Sequence, residues 1–175
     1  MDFFEAVDAR YSYRDEFTDD AVPKEDLDKI VRAGLAAPSG CNKQTTTFVC
    51  VTDPELVAKI ADLQTMKACK TAKAFICCCI DREPEAAYKE FSFQVEDCAA
   101  AVENMLLAIS ALGYASVWID GGLRVDGRAE KLGELLGVPE SKVVRVMLPV
   151  GRPVSDGPRR DKMPFGERAW FDRHG

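Results

Sequence analysis

The chain has 175 residues, 47% hydrophobic and 30% charged, the balance of one ordinary globular domain that can build a core without staples. Its net charge of −6 excludes an overall positive field that would draw it to nucleic acid or an anionic membrane, so basic clusters stand out as local devices. The longest apolar stretches, such as Phe75–Ile80, are far too short to span a bilayer, and Asp2 and Glu5 stand where a basic leader would begin, so a cytoplasmic protein is expected.

In chain order, Asp2 caps a short helix over residues 3–9. A polar arm follows, from Tyr11 to Asp20. Pro23 suits the first position of a second helix, with Glu25 and Asp26 in its first turn. Leu27, Ile30, Val31, Gly34 and Leu35 give that helix one buried face, and it stops near Pro38. Residues 48–51 read as a strand buried on both faces. Asp53-Pro54 opens a short helix to about Leu63, and Ala74–Ile80 is a second continuous apolar strand. Residues 81–93 are polar and aromatic, a mobile excursion. Gln94–Leu112 is the longest helical pattern and is apolar nearly all round, as in a core or a subunit interface, with Gly113 as its stop. Ala115–Ile119 reads as a third strand, Asp126 as the cap of a helix ending at Gly137, and Val143–Val150 as a fourth strand. The tail from Gly151 shows no period, and an irregular segment of that length suits wrapping a partner. Alternating helices and apolar strands suggest an α/β class with a parallel sheet.

Seven cysteines include no Cys-x-x-Cys pair, and the only histidine is His174. Cys77, Cys78 and Cys79 would alternate faces on a strand and could not converge on one ion, so no metal site is expected. No Gly-x-Gly-x-x-Gly and no Walker loop is present, which disfavours a Rossmann or P-loop site.

Three segments carry chemistry. Arg10, Ser12 and Arg14 alternate, so an extended arm puts two guanidinium forks and a hydroxyl on one face, as phosphate recognition requires; the same spacing also suits a solvated arm. Ala37-Pro38-Ser39-Gly40-Cys41-Asn42-Lys43-Gln44 is a turn-rich loop whose amides suit the mixed polarity of a flat ring edge, or simply a helix stop. Asp120-Gly121-Gly122 lies at the end of an apolar run, where glycines let backbone N–H groups approach a ligand, or where a plain turn would sit.

The ordered set of Arg10-x-Ser12-x-Arg14, Pro38-Ser39-Gly40-x-Asn42-x-Gln44, Leu112 to Gly121, Leu148-Pro149-Val150-Gly151-Arg152-Pro153 and a basic tail resembles the nitroreductase family of FMN-dependent oxidoreductases, over residues 3–165. The resemblance implies an α+β fold with a central, mostly antiparallel sheet, in place of the parallel one. It implies one FMN-binding domain over residues 1–175 in an intertwined homodimer, with residues 151–175 crossing the partner and the last strand donated between chains. It further implies hydride transfer from NADH or NADPH through flavin N5 to a small organic acceptor such as a nitroaromatic or quinone, by a ping-pong cycle. Residue roles follow from the same likeness. Arg10 and Ser12, with Tyr11 between them, grip the phosphate and ribityl chain; Arg14 and Gln64 meet the pyrimidine edge. Pro38, Ser39, Gly40 and Asn42 lie against the partner's flavin, and Asp120 and Gly121 approach N5 and O4. Arg160 and Lys162 complete the phosphate site. Thr45 replaces a proline common in the family, Cys41 sits inside the loop as a bystander thiol, and residues 81–93 are short where larger members insert helices. Other FMN chemistry on this scaffold (ene reduction or dehalogenation), a flavin-binding protein without turnover, and a cofactor-free thiol or metal protein are the rival readings.

Overall fold

The structure, a computed structural model, describes residues 1–175. α1 (Phe3–Ala9) starts with a closed capping box: the Glu5 N–H donates to the Asp2 carboxylate at 2.9 Å and the Asp2 N–H to Glu5 at 2.7 Å. α2 (Lys24–Leu35) begins after Pro23 and buries Leu27, Ile30 and Gly34. Leu35 was expected on that buried face but is 64% exposed, because it sits at the helix end beside an open groove.

β1 (Thr47–Val51), β2 (Ala74–Asp81) and β3 (Lys142–Val150) form one sheet in the order β1-β2-β3, antiparallel throughout. The parallel sheet suggested by alternation is therefore corrected, and the antiparallel arrangement implied by the resemblance is observed. The reason lies in the connection. Val51, which ends β1, pairs with Phe75 at the start of β2, so α3 (Pro54–Asp62) and α4 (Lys67–Thr71) return the chain to the end of the sheet it left. β1 is also not buried on both faces. It is an edge strand, with Val51 buried, Phe48 and Val49 half-buried and Cys50 exposed.

β2 is buried from Ala74 to Ile80. Its alternation divides the core: Phe75, Cys77 and Cys79 join the α3, α4 and α6 (Arg128–Leu136) side, whereas Ile76, Cys78 and Ile80 face α2 and α5 (Gln94–Ala111). α2 and α5 cross closely, since a Cβ on Gly34 would stand 2.9 Å from Met105 Cγ. The Gln94 side chain clamps the end of β2, accepting from the Asp81 N–H and donating to its carbonyl at 2.9 Å each. Gly113, at φ +77, stops α5 as expected.

Residues 115–119 do not form a strand. Their backbone groups go to separate segments, with Ala115 bonded to Gly151, Ile119 paired with Met147 on β3, and the Ser116 carbonyl accepting from Tyr13 N–H at 2.9 Å. Asp126 does not cap α6 either. Gly127, at φ 64, takes that position, and the Asp126 carboxylate meets Arg128 at 3.1 Å instead. No helix is long and apolar enough to cross a membrane.

Two smaller predictions arise here. Asp53 caps α3 by accepting from the Glu55 and Leu56 N–H groups at 3.0 Å each. Asp53→Ala should lower unfolding free energy by about 1 kcal/mol in a urea titration. Of the seven cysteines only Cys41 and Cys50 are exposed. Desolvation pushes the Cys69 thiol up to about 12 and Cys79 to about 11, and raises Cys77 as well. Iodoacetamide at neutral pH should therefore modify no more than Cys41 and Cys50 in the native protein by intact mass, and all seven after unfolding.

Candidate functional site

The arm is held in place by three neighbours. The Arg10 N–H closes α1 on the Ala6 carbonyl at 3.0 Å, and its guanidinium reaches Glu103 on α5 at 3.1 Å. Ser12 forms a parallel bridge with Ser116, and further along the arm Phe17 bridges to Pro153. Beyond Ser12, Lys67 on α4 meets Asp15 at 3.1 Å, and the Phe17 N–H donates to Thr71 Oγ1 at 2.9 Å. Tyr11 and Tyr13 rings lie 6.1 Å apart on one side of the arm, where both hydroxyls meet the tail: Gly157 N–H donates to Tyr11 at 3.1 Å and Val154 N–H to Tyr13 at 3.2 Å. By the two-residue period, Arg10, Ser12 and Arg14 share the other side. Arg14 is exposed and donates back to the Ser12 carbonyl at 3.0 Å.

Gln64 lies between α3 and α4. It is 6% exposed, and its Nε2 has no hydrogen-bond partner. A buried amide left unpaired costs about 1–3 kcal/mol, so this group marks a place for a missing acceptor. Ser116, 3% exposed, also has an unpartnered hydroxyl next to the arm.

The Asp120 carboxylate takes both nitrogens of the Arg124 fork, at 2.5 and 2.6 Å, with Arg145 at 3.6 Å. Gly121 opens the following turn, and nothing lies within 4 Å of where its Cβ would stand. A ligand can therefore approach that backbone closely.

The 37–44 loop is anchored to α5 from the other side. Gly40 N–H donates to Asp97 at 2.8 Å and packs under Phe93. Pro38 and Ser39, with Leu35 and Phe48, line a groove of about 410 Å³. Cys41, Asn42 and Gln44 have φ values of 50°, 55° and 51°, a left-handed cluster that costs non-glycine residues about 1–3 kcal/mol each and gathers at functional sites. Turn-forming residues alone did not reveal it, since Cys and Gln carry no sequence signal for that conformation.

Arm and loop do not face each other across one cleft. Their α5 anchors, Glu103 and Asp97, are six residues apart, which is roughly 9 Å along the helix and about 120° around it. The tail also differs from expectation in detail. Arg159 reaches the arm, stacking 5.0 Å from the Tyr11 ring and donating to the Asp8 carbonyl at 2.9 Å. Arg160 and Lys162 are exposed and make no ion pair or side-chain hydrogen bond within the chain. The structure thus places Arg10, Tyr11, Ser12 and Arg14 on an arm bonded to Ser116, adds Arg159 to that arm, anchors the Pro38, Ser39, Gly40 and Asn42 loop at Asp97, and holds Asp120 and Gly121 in a turn that makes no hydrogen bond or ion pair with the arm.

The sequence profile of the nitroreductase family matches residues 7–76 and 64–152. An Archaeoglobus fulgidus protein, named by inference an NADH dehydrogenase/NAD(P)H nitroreductase, is 37% identical over 138 residues, 78% of each chain. An NADPH-flavin oxidoreductase of Vibrio harveyi is 31% identical over 91% of this chain and 69% of its own. The crystal structure of nitroreductase A from Vibrio parahaemolyticus superposes with a TM-score of 0.81 at 26% identity, over all of this chain and 78% of that one.

Proposed function

Because the chain belongs to the nitroreductase family, we propose that it is an FMN-dependent oxidoreductase that carries hydride from NADH or NADPH to a small organic acceptor, acting as a homodimer. Bound FMN would supply the hydride-transfer chemistry that no side chain of the protein offers. The observation that carries the reading is Gln64. Its buried, unpartnered amide donor fits the carbonyl-rich pyrimidine edge of a flavin. The Ser116 hydroxyl and the open backbone at Gly121 fit the same guest.

Each residue has a task in this reading. Arg10 and Ser12 hold the phosphate end, and Arg159 joins Arg160 and Lys162 as a tail cation for it. Arg14 places positive charge near the pyrimidine, where reduction builds negative charge. Arg124 and Arg145 fix the Asp120 carboxylate and so set the backbone angle of the Gly121 turn. Pro38, Ser39, Gly40 and Asn42 flank the ring bound by the partner chain, which is why they stand on a different side of α5 from the arm. The open edge of β1 suits a strand donated by the partner. On this account residues 1–175 work as a single FMN-binding domain, with 151–175 extending over the second subunit.

Steady-state rates test the proposal. With NAD(P)H and a quinone varied together, double-reciprocal plots should be parallel, as one site serves donor and acceptor in turn. Intersecting lines would overturn the shared site.

A further inference from the structure

β3 carries one charge inside an otherwise apolar run: Arg145, between the buried Val144 and Val146. A charged side chain in the middle of such a strand is costly unless it meets a partner. Arg145 has little to meet. Its side chain is 24% exposed, and its one ionic contact is Asp120 at 3.6 Å, beyond hydrogen-bond reach. Both oxygens of that carboxylate are already held by the Arg124 fork, at 2.5 and 2.6 Å. Two guanidinium groups thus share one carboxylate, and the Asp120–Gly121 turn is left with a surplus positive charge.

That charge is felt in the interior. The Cys98 thiol on α5 lies below its ordinary range, drawn down first by a hydrogen bond from Cys78 and then, against desolvation, by Arg145. The turn is also open to a guest, since nothing lies within 4 Å of where a Gly121 Cβ would stand. Although the turn makes no bond with the arm, the chain keeps the two close. Ser116 accepts from the Tyr13 N–H at 2.9 Å and precedes Asp120 by four residues, a reach of at most about 14 Å. One FMN can touch both.

We propose that Arg145 tunes the bound flavin: its half-buried charge behind the Asp120–Gly121 turn favours the reduced cofactor over the oxidised one. The inference rests on the proposed function, which sets that turn against the flavin ring. A hydride from NADH or NADPH brings two electrons and one proton, so the ring gains one negative charge while the nicotinamide gains a positive one. A fixed positive charge nearby stabilises the reduced ring and does little for the neutral oxidised one. At the separation and screening of a half-buried site, one charge is worth about three- to tenfold in that equilibrium. For a two-electron couple this is about 15–30 mV.

The test is the midpoint potential of the FMN-loaded protein, read against a reference dye during slow anaerobic reduction. Arg145→Gln should shift the equilibrium toward oxidised flavin by about three- to tenfold, a fall of about 15–30 mV. Arg145→Met removes the same charge with an apolar side chain suited to the strand and should give the same fall, so the test does not hang on one variant folding. Arg145→Lys keeps the charge but loses the planar fork. It should stay near the wild-type potential, which a purely packing role for the guanidinium would not produce. An unchanged potential in the Gln and Met variants, or an equal fall in Arg145→Lys, overturns the proposal. The proposed function fails differently, as a protein that cannot retain FMN or a flavin that neither nicotinamide bleaches.

Discussion

Arg10→Ala should weaken FMN binding by about 1.5–3 kcal/mol, the worth of a hydrogen bond to a charged group. The geometry favours a large effect at this position. The Arg10 guanidinium contacts Glu103 through Nε at 3.1 Å, which orients the fork and leaves its outer nitrogens for phosphate oxygens. Its side chain is 23% exposed, so solvent screens it less than a surface arginine. Titration of apoprotein with FMN, followed by quenching of flavin fluorescence, measures the change. Arg10→Lys should recover only part of the loss, since an ammonium lacks the planar fork. The Glu103 pair itself is half exposed and worth little to folding. Thermal unfolding of the variant should therefore stay near the wild type. Unchanged FMN affinity would remove the arm from the phosphate site.

Gly40→Ala strikes the loop instead. A Cβ there would stand 2.4 Å from Phe93 Cδ2 and 2.8 Å from both Phe93 Cβ and Cγ. The Phe93 Cβ is fixed to the backbone, so rotation of the side chain cannot clear that contact. Overpacking of this kind costs about 1–3 kcal/mol. Shifting the loop to relieve it breaks the Gly40 N–H bond to Asp97 and moves Pro38, Ser39 and Asn42 together. Urea unfolding should report the stability loss. Turnover with FMN should fall by roughly tenfold to a hundredfold, the scale on which a misplacement near 1 Å acts. Adding Phe93→Ala removes the Cγ and Cδ2 contacts but leaves the Cβ at 2.8 Å, so it should relieve part of the penalty of the first change, a coupling readable from a double-mutant cycle. Wild-type stability and rate in Gly40→Ala would show that the loop has no fixed seat on Phe93.

Much of the fold was legible because local chemistry and tertiary structure agree. Asp2 and Glu5 cap α1 as their spacing demands, Gly113 ends α5, and the apolar run at Ala74 became the buried central strand. Strand direction was not legible from alternation. Two short helices between β1 and β2 look like a crossover in sequence, yet Val51 and Phe75 are paired neighbours. The 115–119 run failed for a related reason, since apolar side chains say that a segment is buried but not which backbones it will meet. α4 escaped notice because five residues with no side-chain cap are too few to establish a period.

The candidate site divides in the same way. Residue types marked the arm, the loop and the Asp120 turn. Only three-dimensional packing reveals that the Gln64 amide is unpaired, that Arg159 rather than its neighbours rests on Tyr11, and that Asp97 and Glu103 hold loop and arm on separate sides of one helix.

The central claim is tested most directly by the anaerobic absorbance spectrum of the FMN-loaded protein. The protein should retain the yellow band of oxidised flavin through gel filtration. NADH or NADPH should bleach it, and a quinone or nitroaromatic should restore it. A protein that cannot retain FMN, or a bound flavin that neither nicotinamide bleaches, would contradict the account.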